Sequence, residues 1–174
     1  MKNRIIIGLT FLIAVTKVSA QDNEEFPFER HKNNVYFNFI GGDGSVISTY
    51  YERLFLTRSK YFMGVGLGIG YNKIDDISDA EGNPDLQFKY MTIPHHITMN
   101  IGKHKSFFEI GLGGTGIIGD LIQNYYLYPI IGYRFQSSGS NKVIFRVYAG
   151  YPFYGWENLD IWWIPVGVSL GVVL

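Results

Sequence analysis

The chain has 174 residues, room for one ordinary domain, of which 47% are apolar, 17% aromatic and only 17% charged. Fifteen Lys and Arg balance fifteen Asp and Glu, and no basic stripe stands out, which excludes the charge profile of a nucleic-acid binder. The absence of cysteine excludes disulfides, thiolate metal sites and attachment of a lipid through a cysteine.

The first twenty residues read as an export signal. Lys2 and Arg4 precede a mostly apolar stretch from Ile5 to Val15, and Val18-Ser19-Ala20 supplies the small residues that a signal peptidase recognises. The apolar run is about half of the roughly 20 residues a spanning helix needs. Cleavage after Ala20 is therefore expected. It would remove Lys2, Arg4 and Lys17 but no acid, leaving a net charge of −3 with histidine neutral. Gln21 to Asn33 is polar, contains Pro27 and lacks periodicity, as expected of a flexible lead-in.

From Asn34 to Leu174 the sequence falls into blocks of strand length separated by turn residues. Eight strands are predicted, over about 34–41, 46–56, 61–73, 88–101, 106–116, 125–136, 143–153 and 162–174. The third block alternates Met63, Val65, Leu67, Ile69 and Tyr71 with Gly64, Gly66, Gly68 and Gly70. Successive strand side chains point to opposite faces, so one face is apolar and the other almost bare. The fifth block sets Phe108, Ile110 and Leu112 against Glu109, Gly111, Gly113 and Thr115. The last sets Val166, Val168, Leu170, Val172 and Leu174 against Gly167, Ser169 and Gly171.

A soluble barrel with its apolar face inside would show water a nearly naked glycine surface with few charges. The opposite arrangement suits both faces: rings and aliphatics meet lipid, while small and polar residues fit a crowded lumen. Connection lengths agree. The links at 57–60, 102–105 and 137–142 are compact, whereas 74–87, 117–124 and 154–161 are longer; only the link Gly42-Asp43-Gly44-Ser45 departs from this rhythm. Short periplasmic turns and longer external loops, with both mature ends periplasmic, define the expected orientation. Tyr50, Tyr51, Phe55, Tyr61, Phe107, Phe108, Tyr125, Tyr133, Phe135, Tyr151, Phe153, Trp162 and Trp163 collect near block ends, where two interfacial girdles are expected. Pro94 and Pro129 fall inside strands and predict bulges; Pro152 and Pro165 suit strand ends.

Glu52, Glu109, Arg134 and Arg146 share the face of the small residues, each a few positions from a compact turn. They are expected to form an ion-pair cluster at one level of the lumen. Eight strands leave an interior only wide enough for side chains to fill, so a structural plug is favoured over a charged gate.

Other motifs carry less. Gly111-Leu112-Gly113-Gly114-Thr115-Gly116 matches a dinucleotide-binding pattern in spacing alone, since its glycines lie within a strand and no helix follows. His95 and His96 point to opposite faces and cannot readily share a metal. His96-Ile97-Thr98-Met99-Asn100 resembles only loosely the H-x-S-N pattern of outer-membrane lipid A deacylases, and alternation puts His96 and Thr98 in the lumen. The acidic run from Asp75 to Asp85 does not fit a calcium loop in register; a solvated loop is expected, with loose divalent-cation binding as the alternative.

At Asn33-Asn34-Val35-Tyr36, Tyr51-Glu52-Arg53-Leu54-Phe55 and Gly132-Tyr133-Arg134-Phe135-Gln136, the chain resembles the small outer-membrane β-barrel proteins of the Bacteroidota. More distantly, it resembles eight-stranded OmpA/OmpX-type barrels. The resemblance covers Asn34 to the C-terminus, with one departure: Leu174 stands where such barrels usually end in an aromatic residue. It implies an all-β, eight-stranded antiparallel transmembrane barrel in the outer membrane of a Gram-negative bacterium. It also implies contact with lipid and lipopolysaccharide, and insertion by the barrel-assembly machinery. A monomer without enzymatic activity or cofactor is expected, the alternatives being a lipid-modifying enzyme or a narrow channel.

Overall fold

The computed structural model describes residues 31–39, 41–74, 88–119, 124–137, 142–155 and 164–174. The predicted signal segment, most of the lead-in, the acidic run 75–85 and Trp162 and Trp163 lie outside these residues. Eight strands follow in chain order: β1 (Asn33–Phe39), β2 (Ile47–Phe55), β3 (Tyr61–Ile74), β4 (Phe88–Lys103), β5 (Ser106–Ile118), β6 (Tyr125–Gln136), β7 (Val143–Ala149) and β8 (Val166–Val173). Each pairs antiparallel with its chain neighbours, and β1 pairs with β8, so the sheet closes without an edge. No helix occurs among the described residues.

The ladders also fix the tilt. The path Val35–Tyr51–Leu67–His95–Gly114–Leu127 crosses six strands. Resumed four residues along β6 at Ile131–Ala149–Val166, and two along β8 at Val168, it re-enters β1 at Phe39. Adding back those steps to the four-residue offset gives a stagger of ten residues around the barrel. With eight strands about 4.8 Å apart and a rise of about 3.3 Å per residue, this corresponds to a tilt of about 40°.

Alternation decides which side chain meets which medium. Val65, Leu67, Ile69 and Tyr71 of β3, Ile97 and Ile101 of β4, Phe108 and Ile110 of β5, and Leu170 and Val172 of β8 all lie exposed on the outer wall. Their strand neighbours Gly64, Gly66, Thr98, Glu109 and Ser169 face inward and are buried. The glycines on this inner face make room. A Cβ on Gly66 would lie 2.6 Å from Nε2 of His96, and one on Gly64 would lie 2.5 Å from Oε1 of Glu52.

Several sequence expectations are corrected. Pro94 makes no bulge: the β3–β4 register is the same on both sides of it, and the ladder is merely interrupted opposite Gly68 and Ile69. Proline supplies no N–H there, so pairing lapses without a residue being inserted. Pro129 holds register with Leu112 of β5. The slip lies instead on the facing chain, where β7 stops at Ala149 and the Leu127–Tyr154 bridge is one residue out of step with the Ile131–Ala149 pair. Gly150 and Pro152 occupy that slip, so β7 is shorter than predicted. The girdle loses three of its members: Tyr50, Tyr61 and Phe107 are 2%, 7% and 1% exposed. Tyr50 and Phe107 share the inward parity of Glu52 and Glu109, whereas Tyr61 is buried despite its outward parity.

Candidate functional site: the filled lumen

The lumen is packed in two tiers. On the turn side stand Glu52 of β2, Glu109 of β5, Arg134 of β6 and Arg146 of β7, none more than 2% exposed. Arg134 grips Glu52 with both ends of its guanidinium, Nη1 to Oε1 at 2.9 Å and Nη2 to Oε2 at 2.5 Å. Arg146 holds Glu109 in the same forked manner, with Nε to Oε2 at 3.0 Å and Nη2 bonded to Oε1. Arg134 Nη1 also stands 3.9 Å from Glu109, so the two pairs form one network. Arg134 and Arg146 are direct cross-strand partners. Two like charges in that position repel; here each guanidinium is turned to a carboxylate across the lumen.

Neutral groups complete the tier. Asn34 Nδ2 donates to Glu52 at 2.7 Å, Arg134 Nε donates to Gln136 at 3.0 Å, and Arg146 Nη1 donates to the Tyr36 hydroxyl at 2.6 Å. His96 Nε2 lies 3.3 Å from Glu52 and 3.2 Å from the Tyr36 hydroxyl. The Arg134 guanidinium lies 5.1 Å above the Phe62 ring, and that of Arg146 lies 4.9 Å from Tyr36 and 5.3 Å from Tyr148. Planar guanidinium can stack and fork at once, a combination an ammonium group cannot supply.

The second tier is built on the one short link at the other end. Gly41, Gly42 and Gly44 all take positive φ, between 70° and 75°, and this backbone turns the link into the barrel. A side chain on Gly44 would collide with the Tyr126 hydroxyl. The turn delivers Asp43 to a fully buried position. Its carboxylate accepts from Ser48 Oγ at 2.6 Å, the Tyr50 hydroxyl at 2.7 Å and the Ser45 amide at 3.0 Å. Its carbonyl oxygen accepts from Thr115 and Tyr126 at 2.8 and 2.7 Å. Burial pushes the Asp43 carboxyl above the usual aspartate range, against the pull of its donors. Asn72 clasps the same link from β3, donating to the Gly44 carbonyl and accepting from the Val46 amide.

Asp43→Ala is expected to lower stability by about 1–3 kcal/mol, because buried donors of Ser48, Tyr50 and Ser45 lose their acceptor. Asp43→Asn, which keeps one acceptor oxygen, should lose less. Urea midpoints of the refolded variants, followed by gel mobility, measure both.

The sequence grouped Glu52, Glu109, Arg134 and Arg146, and the structure brings all four into contact. It missed Asp43, whose strand-external position gives no alternation to read; three glycines within four residues were the available signal. It also overlooked Tyr36, Tyr126, Tyr128 and Tyr148, which share the parity of the small residues and fill the axis. His96 and Thr98 are lumenal, 5% and 0% exposed. His95, on the outer wall, bonds to the Tyr125 hydroxyl at 2.9 Å and stacks on its ring. The glycine-rich run from Gly111 to Gly116 lies within β5 and opens no helix.

In comparisons with protein-family models, curated proteins and solved structures, nothing matches this chain. The class of protein its geometry defines is a closed, eight-stranded antiparallel β-barrel with its lumen filled by side chains.

Proposed function

We propose that this protein is a non-enzymatic outer-membrane β-barrel that crosses the bilayer as a monomer, plugged by its own side chains, with its external loops free for surface interactions. The observation that carries this reading is the distribution of side chains between the two walls. All eight strands present apolar residues outward, whereas every side-chain carboxylate among the described residues is buried inside. Soluble monomers rarely expose apolar patches beyond a few hundred Å², and a belt encircling a whole barrel far exceeds that. Closure of the sheet satisfies the strands' backbone groups without water, the condition for a β-structure in hydrocarbon.

In this reading the turns at 57–60, 102–105 and 137–142 face the periplasm with both chain ends, and lipopolysaccharide surrounds the loop end. Assembly falls to the barrel-assembly machinery. The two polar tiers argue for a plug rather than a channel, and His96 is engaged with Glu52 and Tyr36 rather than offered to lipid.

The test is fractionation of the expressed protein, followed by electrophoresis with and without boiling. The folded barrel is expected in the membrane pellet, with a heat-dependent change in mobility and no discrete conductance steps in planar bilayers. Recovery in the soluble fraction with unchanged mobility would overturn the reading.

A further inference from the structure

Every exposed charged side chain among the described residues is a cation, and these cations are unevenly placed. Lys73 and Lys89 flank the loop end, while Lys32, Arg53, Arg58, Lys60, Lys103, Lys105 and Lys142 gather at the turn end. Four of the latter follow one rule. Lys32 directly precedes β1, Lys60 precedes β3, Lys105 precedes β5 and Lys142 precedes β7. Each backbone carbonyl accepts an amide bond from the neighbouring strand: Lys32 from Leu54, Lys60 from Gly102, Lys105 from Gln136 and Lys142 from Val173. The four lysines are thus spaced around the barrel, one at the foot of every second strand, with fixed backbones and exposed side chains.

We infer that this lysine ring binds the anionic headgroups of phospholipids in the leaflet at the turn end of the barrel, an inference that rests on the membrane-spanning reading. Height selects headgroups over an acidic protein partner. Val143 follows Lys142 directly, and Val35, Met63 and Phe108 follow their lysines by three residues, all on the outer wall. At about 2.5 Å of height per tilted residue, the ring stands less than about 10 Å from the apolar belt. The intervening turns 57–60 and 102–105 are too short to lift it clear of the membrane surface. Long lysine stems can lie along the barrel end while their ammonium groups reach phosphate.

The full chain, reconstituted into phosphatidylcholine vesicles containing a minority of phosphatidylglycerol, provides the test. Spin-labelled lipids report the relative association of the two headgroups with the barrel. A several-fold preference for phosphatidylglycerol is expected at low salt, and it should fall towards none at high salt. The combined substitution Lys32→Gln, Lys60→Gln, Lys105→Gln and Lys142→Gln should abolish it, whereas Lys73→Gln with Lys89→Gln should leave it intact. An equal association of the two lipids with the native chain overturns the ring's role, including the case in which the four acids of residues 21–30 neutralise it. So does a preference that survives the fourfold substitution. Failure of the chain to enter vesicles in a heat-modifiable form instead defeats the membrane reading itself.

Discussion

Replacing Arg134 with methionine is expected to destabilise the folded barrel by about 3–5 kcal/mol, the loss typical of breaking one side of a buried ion pair. Methionine fills much of the space and keeps the contact with Phe62, so the cost is mainly electrostatic. Among the described residues, Glu52 would remain fully buried with Asn34 and His96 as its hydrogen-bonding partners. The double substitution Glu52→Gln, Arg134→Met removes both charges while leaving an acceptor oxygen for Asn34. It should recover at least half of the loss. Urea titration in detergent micelles, with folded and unfolded species separated by gel mobility, gives both values. A single-variant cost below about 1 kcal/mol, or strictly additive effects, would show that the pair is not held as a desolvated unit.

Leu67→Arg tests the outer wall. Leu67 lies in the middle of the outward series from Met63 to Tyr71 and is 60% exposed. On a water-facing surface such a change stays within about ±0.5 kcal/mol. Near the middle of a bilayer, arginine on the lipid face of a barrel costs about 2–4 kcal/mol. The two media thus give outcomes that do not overlap. Refolding the native and variant chains into vesicles across a urea series measures the difference, and a change inside the water-facing range would remove the case for hydrocarbon contact.

The fold was legible because a strand's period of two is local. The Gly64–Gly70 alternation in β3, and its counterparts in β5 and β8, separate two faces whatever the rest of the chain does. Strand interiors such as β6 are correctly delimited, while β7 is overextended. The reason is physical: the residues 150–153 keep an apolar alternation, but Gly150 and the amide-less Pro152 take the chain out of step with β6. Pro94 misleads in the other direction. A missing donor can be absorbed as a gap in one ladder, and only the partner strand reveals whether a residue has been added.

The candidate site was half legible for the same reason. Glu52, Glu109, Arg134 and Arg146 lie within strands, so parity assigns them to the lumen. Asp43 lies between strands and has no parity. Its place depends on three left-handed glycines turning the link inward and on Ser48, Tyr50, Thr115 and Tyr126 arriving from β2, β5 and β6 to bind it.

By itself, then, the sequence determined the strand count, the division into an apolar and a small or polar face, and the set of charges sharing the inner one, because these follow from neighbours along the chain. Only the tertiary structure decided which acid pairs with which arginine, that Asp43 closes the loop end of the lumen, and that four lysines share one rim. Those facts join residues as far apart as Tyr36 and Arg146, and they exist only once the ten-residue stagger of the closed sheet has set every strand's height against the others.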